Sequence, residues 1–256
     1  MQGKIILAES GGTKTDWWVY HDGVVVAKYL TGSFHPAHLE GKDVADVLQL
    51  IPELDDSTAQ LKIYSAGCFR EENKQILRDK LSAVRANVEV KSDIDAAIEA
   101  TGYESGWVAI LGTGSVLIHF DKSNVQLYGG LGWETGDEGS GFYFGKLVVE
   151  QLKSGQFVEL IDEVQKAQLL PLDGKPDSKF IYADLAKQLN GEAFRALHFQ
   201  NVNTFFQRYV LPNDVREISI VGSYSFYNQD VLLEVCELYS LKISCLIERP
   251  IFFLQP

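Results

Sequence analysis

The feature that most restricts what this chain can fold into is a short unit that occurs twice, about a hundred residues apart. The first copy opens with "IILAESGGTKTDWWVY" at residues 5–20 and continues through "HDGVVVAKYLTG". It reads as strand, Gly-rich turn, strand, hairpin, strand, with His21-Asp22-Gly23 as the hairpin signal. The second copy is "WVAILGTGSVLIHFDKSNVQLYGG". Here 107–111 is a strand, Gly112-Thr113-Gly114-Ser115 the bare turn and 116–120 a strand, with a turn over Asp121–Asn124 and a third strand at 125–128. The copies share order and spacing rather than long identity, which predicts two related lobes.

The segments between the copies carry helical periodicity. Residues 38–50 and 71–86 are amphipathic, with the strand "LKIYSAG" between them. "VEVKS" is a further strand, and Ser92 with Asp95 forms a capping-box pair that starts the helix "DIDAAIEAT". Helices are expected at about 138–153, 157–167, 178–189, 192–209 and 229–239, with late strands in "EISIVGS" and "LKISCLI" and a loop at "PLDGKP". The border between the lobes falls near 92–105, giving an N-terminal lobe over 1–100 and a C-terminal lobe over 101–256.

A net charge of −12 argues against nucleic acid as a partner, since affinity for a phosphate backbone rests on clustered Lys and Arg. Any anionic ligand must be held by local backbone dipoles and a metal. Cys68, Cys236 and Cys245 show no C-x-x-C spacing and read as buried thiols. No stretch is apolar enough for a signal peptide or a membrane span, so a cytoplasmic address without a membrane partner is expected. A homodimer is compatible with the sequence.

Four glycine clusters are candidates for chemistry. Gly11, Gly12, Thr13, Lys14 and Thr15 form one turn, and Gly112, Thr113, Gly114 and Ser115 another. Each offers backbone N–H groups and hydroxyls of the kind that bind phosphate, although an ordinary hairpin turn is an alternative for the first, and Lys14 reads equally as a solvated surface charge. Neither is a Walker A loop, and no G-x-G-x-x-G follows a strand. The third cluster, "GGLGWETGDEGSGFYFG", places Asp137 and Glu138 at an expected helix start, where the helix dipole alone would favour them. Gly136, Gly139 and Gly141 would weaken that helix, so close approach of a ligand is the expectation there. The fourth, "IVGSYSFYNQD", turns from strand to helix at Gly222-Ser223 and suits a ring or ribose.

With the four clusters in this order, the chain resembles the acetate kinase, sugar kinase, Hsp70 and actin superfamily. The nearest branch groups N-acetylglucosamine kinases with BadF/BadG/BcrA/BcrD-type ATPases. "ESGGTKTDW" resembles its first phosphate motif, "LGTGS" its second, "GWETGDEGSG" its G-W-x-x-G-D-E-G-S segment and "VGSYSFY" its adenosine motif. The resemblance implies an α/β fold of two RNase-H-like, actin-like ATPase lobes with an ATP and Mg²⁺ cleft between them. It also implies transfer of the γ-phosphoryl group to a sugar hydroxyl in amino sugar metabolism. On that basis Asp93 in "KSDIDAA" is the catalytic base. The two Gly-rich turns with Gly222 and Ser223 hold the nucleotide, and Glu9 and Asp137 organise Mg²⁺. His35, Gly132, Trp133 and Asp137 border the sugar. From the residues alone, Asp93 would read as a helix-start acid.

Three positions depart from the family pattern. Glu9 stands where an Asp is usual, and its extra methylene moves the carboxylate roughly 1–1.5 Å further out. His35 in "SFHP" replaces an Asn, and Val116 replaces another Asn that contacts the sugar. These departures favour a second reading, an ATP-binding sensor or scaffold with weak transfer. A third, the iron–sulfur activator role of the BadF branch, lacks its cysteine pattern here. A C-terminal helix returning to the first lobe, present in larger relatives, is expected to be absent after "ERPIFFLQP".

Overall fold

The computed structural model describes residues 3–39, 44–132, 134–172, 175 and 178–256. The chain divides into two compact units, residues 1–102 together with 250–256, and residues 103–249.

The first unit is built on five strands: β1 (Ile5–Ser10), β2 (Lys14–His21), β3 (Val24–Gly32), β4 (Gln60–Ser65) and β5 (Asn87–Ser92), in the order β3-β2-β1-β4-β5. The hairpin β2–β3 closes through Asp22 and Gly23, both at positive φ (49° and 78°). That turn matches the natural strand twist. β1 pairs antiparallel with β2 and parallel with β4, and β4 runs parallel to β5. Its α-helices among the described residues are α1 (Ala45–Leu48), α2 (Glu71–Lys80) and α3 (Asp93–Thr101).

Alternation along β1 sends Ile6 and Ala8 into a core with Trp17, Leu61 and Leu77, while Leu7 faces Tyr64, Ala96 and Leu254 on the other side. Of the helix expected at 38–50, residues 40–43 lie outside the described residues; the described part holds the end of a 3-10 turn at Pro36–His38 and the four-residue α1. α2 ends six residues before the expected 86, because the Arg85 and Ala86 amides bond to the Leu54 carbonyl instead. α3 carries the capping box at Ser92 and Asp95, and Gly102 at φ 71° ends it. Residues 250–256 belong to this unit, with a 3-10 turn at Pro250–Phe252 and with Ile251 and Leu254 buried.

The second unit repeats the first strand for strand. β6 (Gly106–Leu111), β7 (Ser115–Phe120), β8 (Val125–Gly129), β9 (Glu217–Val221) and β10 (Lys242–Ile247) are ordered β10-β9-β6-β7-β8. β6–β7 and β7–β8 are antiparallel, and β6–β9 and β9–β10 parallel. Its helices are α4 (Gly141–Lys153), α5 (Glu163–Leu169), α6 (Ser178–Gln188), α7 (Arg195–Phe205), α8 (Ser223–Tyr227) and α9 (Gln229–Leu238).

α4 starts at Gly141 behind the N-cap Ser140, so Asp137 and Glu138 precede the helix instead of opening it. The expected helix at 157–167 shifts to Glu163–Leu169 because the Asp162 side chain caps it, after a turn with Phe157 at φ 57°. The single helix expected at 192–209 is a 3-10 turn, then α7, then a π turn at Phe206–Val210. Of the loop "PLDGKP", Asp173, Gly174 and Pro176 lie outside the described residues, and its first two residues end a 3-10 turn at Leu170–Leu172.

Candidate active site

In the first unit the candidate residues gather at the carboxyl ends of the parallel strands, where open α/β sheets place ligands. Ser10, Ser65 and Ser92 sit side by side as the last residues of β1, β4 and β5, and all three are buried. Beyond Ser10 comes the turn Gly11–Thr13, beyond Ser65 comes Ala66–Cys68, and beyond Ser92 comes Asp93.

Ser33 and His35 are tied to the same edge. The Ser33 hydroxyl donates to the Gly11 carbonyl at 2.6 Å and accepts the His35 N–H at 3.0 Å. The His35 Nδ1 accepts the Ala37 N–H at 3.2 Å, and its ring lies so close to Gly67 that a Cβ there would sit 2.6 Å from Nε2. Gly67 also has φ 81°, so both its conformation and its neighbour require glycine. Half-buried Asp93 is the first residue of α3. Burial pushes the nearby Cys68 thiol up to about 11; a hydrogen bond with Ser65 opposes this and the Asp93 charge adds to it.

Three candidates in this unit already have partners within it. Thr15 is buried, and its hydroxyl donates to Ser10 Oγ and the Gly32 carbonyl, so it braces the turn and offers nothing to a phosphate. Lys14 is half-exposed and pairs with Asp16 at 3.5 Å. Glu9, on the face of β1 shared with Leu7, accepts the Ile251 N–H at 3.0 Å through Oε2. That carboxylate therefore holds the C-terminal turn.

The second unit repeats the edge in greater detail. The turn 112–114 closes with the Gly112 N–H on the Gly114 carbonyl at 3.0 Å. The Gly112 and Thr113 carbonyls accept the Gly141 and Phe142 amides, so the first N–H groups of α4 are already engaged. Gly222 at φ 134° presses on the same turn; a Cβ there would meet the Leu111 carbonyl oxygen at 2.3 Å. The Gly222 turn and the 112–114 turn are thus in backbone contact. Ser223 is half-buried and opens α8.

Asp137 lies beneath the turn, 3 % exposed and at φ 66°. Its Oδ1 accepts the Ser115 N–H at 3.1 Å and would be 2.9 Å from a Cβ on Gly114. Its Oδ2 is buried without a hydrogen-bond partner, and Lys179 Nζ stands 3.7 Å away. Burial raises this carboxyl above its ordinary range, opposed by Lys179 and the Ser115 N–H. A buried carboxylate oxygen left open is costly, and a hard cation is a fitting partner for it.

Glu138 is equally buried but complete, with Arg208 on Oε1 and the Tyr209 hydroxyl on Oε2 at 3.1 Å. Burial, then Glu138, push Tyr209 up to about 12. Among the described residues no cluster of three or more His, Cys, Asp or Glu forms a metal cage. Mg²⁺ needs none, because it commonly binds one or two carboxylates plus phosphate.

Further calls are corrected here. The Ser115 hydroxyl donates to the Glu138 carbonyl at 2.6 Å, so it shapes the loop rather than facing a phosphate. Gly136, Gly139 and Gly141 are explained by packing and not by ligand approach. A Cβ on each would meet Leu131 at 3.1 Å, Phe205 at 2.7 Å and the Ala183 backbone at 3.2 Å. Val116 packs on Gly130. Gly132 is at φ 80° with open space around it, and Trp133 lies outside the described residues.

Gly11 and Gly112 are different. Neither has a positive φ, and a Cβ would meet nothing closer than 4.0 Å at Gly11 and nothing within 4 Å at Gly112. The amides of Gly12, Thr13, Thr113 and Gly114 donate to no group among the described residues. Successive unpaired N–H groups in a turn form an anion-binding concavity. Ser33, Gly67, Lys179, Arg208, Tyr209 and Asn201 carry no local sequence signal, since each acts through a neighbour distant along the chain.

No family model and no curated protein sequence matches this chain. Solved structures do. A "Putative N-acetylglucosamine Kinase" from Porphyromonas gingivalis is 26% identical with a TM-score of 0.79, over 96% of this chain and 95% of that one. A second protein so described, from Chromobacterium violaceum, is 17% identical with a TM-score of 0.63 over 94% of each chain. A ROK family glucokinase from Streptomyces griseus, solved with glucose and AMPPNP, is 14% identical with a TM-score of 0.54, over 96% of this chain and 94% of that one. The fold is that of the sugar kinases and actin-like ATPases, as the motifs implied.

Proposed function

We propose that this protein is an ATP-dependent sugar kinase, with an amino sugar of the N-acetylglucosamine or glucosamine type as its acceptor. One observation carries the reading. A duplicated unit has kept, at the same point of both copies, a turn with unpaired amides whose leading glycine nothing in its own surroundings requires. Phosphate binding explains both turns at once. The similarity to the Porphyromonas gingivalis protein supports the substrate class.

In this reading Gly11, Gly12, Thr13 and Lys14 hold phosphate oxygens, and so do Gly112, Thr113 and Gly114. Ser115 acts through its backbone and its grip on the Glu138 carbonyl. Gly222 and Ser223 bind the adenosine end. Asp93 accepts the proton of the attacking hydroxyl from the first position of α3. His35, Gly132 and Trp133 border the sugar, with His35 held in place by Ser33 and Gly67.

Asp137, through its open Oδ2, is the chief carboxylate for Mg²⁺, and Glu9 contributes less because Oε2 already accepts the Ile251 N–H. Bound Mg²⁺ supplies charge neutralisation of the transferring phosphoryl group. Transfer then depends on positioning and electrostatics supplied by these turns. A domain border near residues 92–105 accords with this division of labour.

Glu9's hold on the C-terminal turn favours one competing reading, a nucleotide-binding protein with weak transfer. Incubation with Mg·ATP and a panel of hexoses and N-acetylhexosamines decides between them. The kinase reading expects an amino sugar phosphate as product; ATP binding without turnover on any sugar establishes the other.

A further inference from the structure

A closed chain of buried hydrogen bonds links the 222–224 turn to the acidic segment. Asn201 on α7 is fully buried. Its Oδ1 accepts the Gly139 N–H at 2.6 Å, and its Nδ2 donates to the Ser140 carbonyl at 2.8 Å and to the Tyr224 hydroxyl at 2.9 Å. The Tyr224 oxygen lies 2.9 Å from His198 Nδ1, and His198 Nε2 lies 2.9 Å from the Leu189 carbonyl.

Only one proton arrangement satisfies every member. A carbonyl can only accept, so Nε2 carries the hydrogen and Nδ1 is an acceptor. The Tyr224 O–H therefore donates to Nδ1, and its oxygen is left to accept from Asn201. Burial lowers the pKa of His198, in keeping with a neutral ring, and the ring is fixed face to face on Phe144 at 3.9 Å. The acidic segment needs such a brace, because Asp137 at φ 66° and Gly139 at φ 82° both occupy the left-handed region. Removing one member of a saturated buried network leaves its partners unpaired.

We propose that Asn201 and Tyr224 are positioning residues that set the backbone of Asp137–Ser140 from the adenosine-side turn. The proposal rests on the kinase reading only for its consequence in catalysis. Nucleotide seated against Gly222–Ser223 holds Tyr224 in place, Tyr224 orients the Asn201 amide, and Asn201 fixes the peptide two residues beyond Asp137.

Tyr224→Phe tests this, since it keeps the ring and removes only the hydroxyl. Two measurements are made, hydrogen exchange of the Gly139 amide in ligand-free protein and steady-state kinetics with Mg·ATP and sugar. Expected are faster exchange at Gly139 and a kcat lower by about 10- to 100-fold, with both KM values within about twofold. Asn201→Ala should move both in the same direction and further. Val235→Ala, a buried change on α9, serves as the stability-matched control and should leave Gly139 exchange and kcat unchanged.

Unchanged Gly139 exchange in Tyr224→Phe overturns the proposal, as does a kcat loss that Val235→Ala reproduces at equal loss of Tm. Absence of transfer in the unaltered protein counts against the kinase reading alone, and the exchange comparison still decides the brace.

Discussion

Gly112→Ala separates a glycine kept for a ligand from one kept for the fold. At Gly112 φ lies outside the left-handed region and no heavy atom comes within 4 Å of an added Cβ, so the folded protein gains no strain. The substitution then acts on the unfolded chain, which loses freedom, and it should stabilise by about 0.4–1 kcal/mol. For a chain of this length that is a rise in Tm of about 1–4 °C.

The same methyl group stands where phosphate would approach the Thr113 and Gly114 amides. Affinity for Mg·ATP should fall at least about tenfold, or about 1.4 kcal/mol. Gly222→Ala is the opposite case. Its Cβ would meet the Leu111 carbonyl at 2.3 Å, and φ 134° disfavours any side chain, so it should cost about 2–5 kcal/mol. Differential scanning calorimetry and a calorimetric titration of Mg·ATP measure both quantities. A Gly112→Ala protein that melts earlier yet binds nucleotide as before would refute the reasoning.

Asp93→Asn should lower kcat by about 100- to 10,000-fold while nucleotide affinity stays within about twofold; transfer at the original rate would remove Asp93 as base. Asp137→Asn should abolish transfer and raise stability at neutral pH. Burial raises the Asp137 pKa, so the native protein holds this proton more tightly than the unfolded chain, and its contribution to stability is lost as pH rises from about 4 through the raised value. Urea melts across pH 4–8 check this, and a gap between variant and original that narrows with rising pH contradicts it. Arg208→Ala leaves buried Glu138 with Tyr209 as its hydrogen-bond partner and should cost about 1–3 kcal/mol in urea denaturation; no change in midpoint would show the pair to be idle.

Much of the fold was legible because it rests on local signals repeated in order. Alternating strands, His21-Asp22-Gly23 and the Ser92 capping box all appear where the sequence places them. Some of the misread helix bounds were set by distant contacts, while the start of α5 was set locally by the Asp162 cap. α2 stops where Leu54 captures Arg85 and Ala86, and α4 begins late because its first amides bond to the 112–113 carbonyls. Motif residues were legible as a set, but not the division of labour within them. Thr15 and Ser115 carry hydroxyls in glycine-rich turns, yet both turn inward to Ser10 and the Glu138 carbonyl. Gly139 and Gly141 read as openings for a ligand and are filled by Phe205 and Ala183. Lys179 had no local signal, because its partner lies 42 positions earlier in the chain.

A crystal structure of the protein with a non-hydrolysable ATP analogue and Mg²⁺ tests the central claim most directly. The account predicts that phosphate oxygens accept hydrogen bonds from the Thr113–Gly114 amides, and that phosphate likewise takes up the Gly12–Thr13 amides. A bound nucleotide that leaves either pair of amides without phosphate would contradict it.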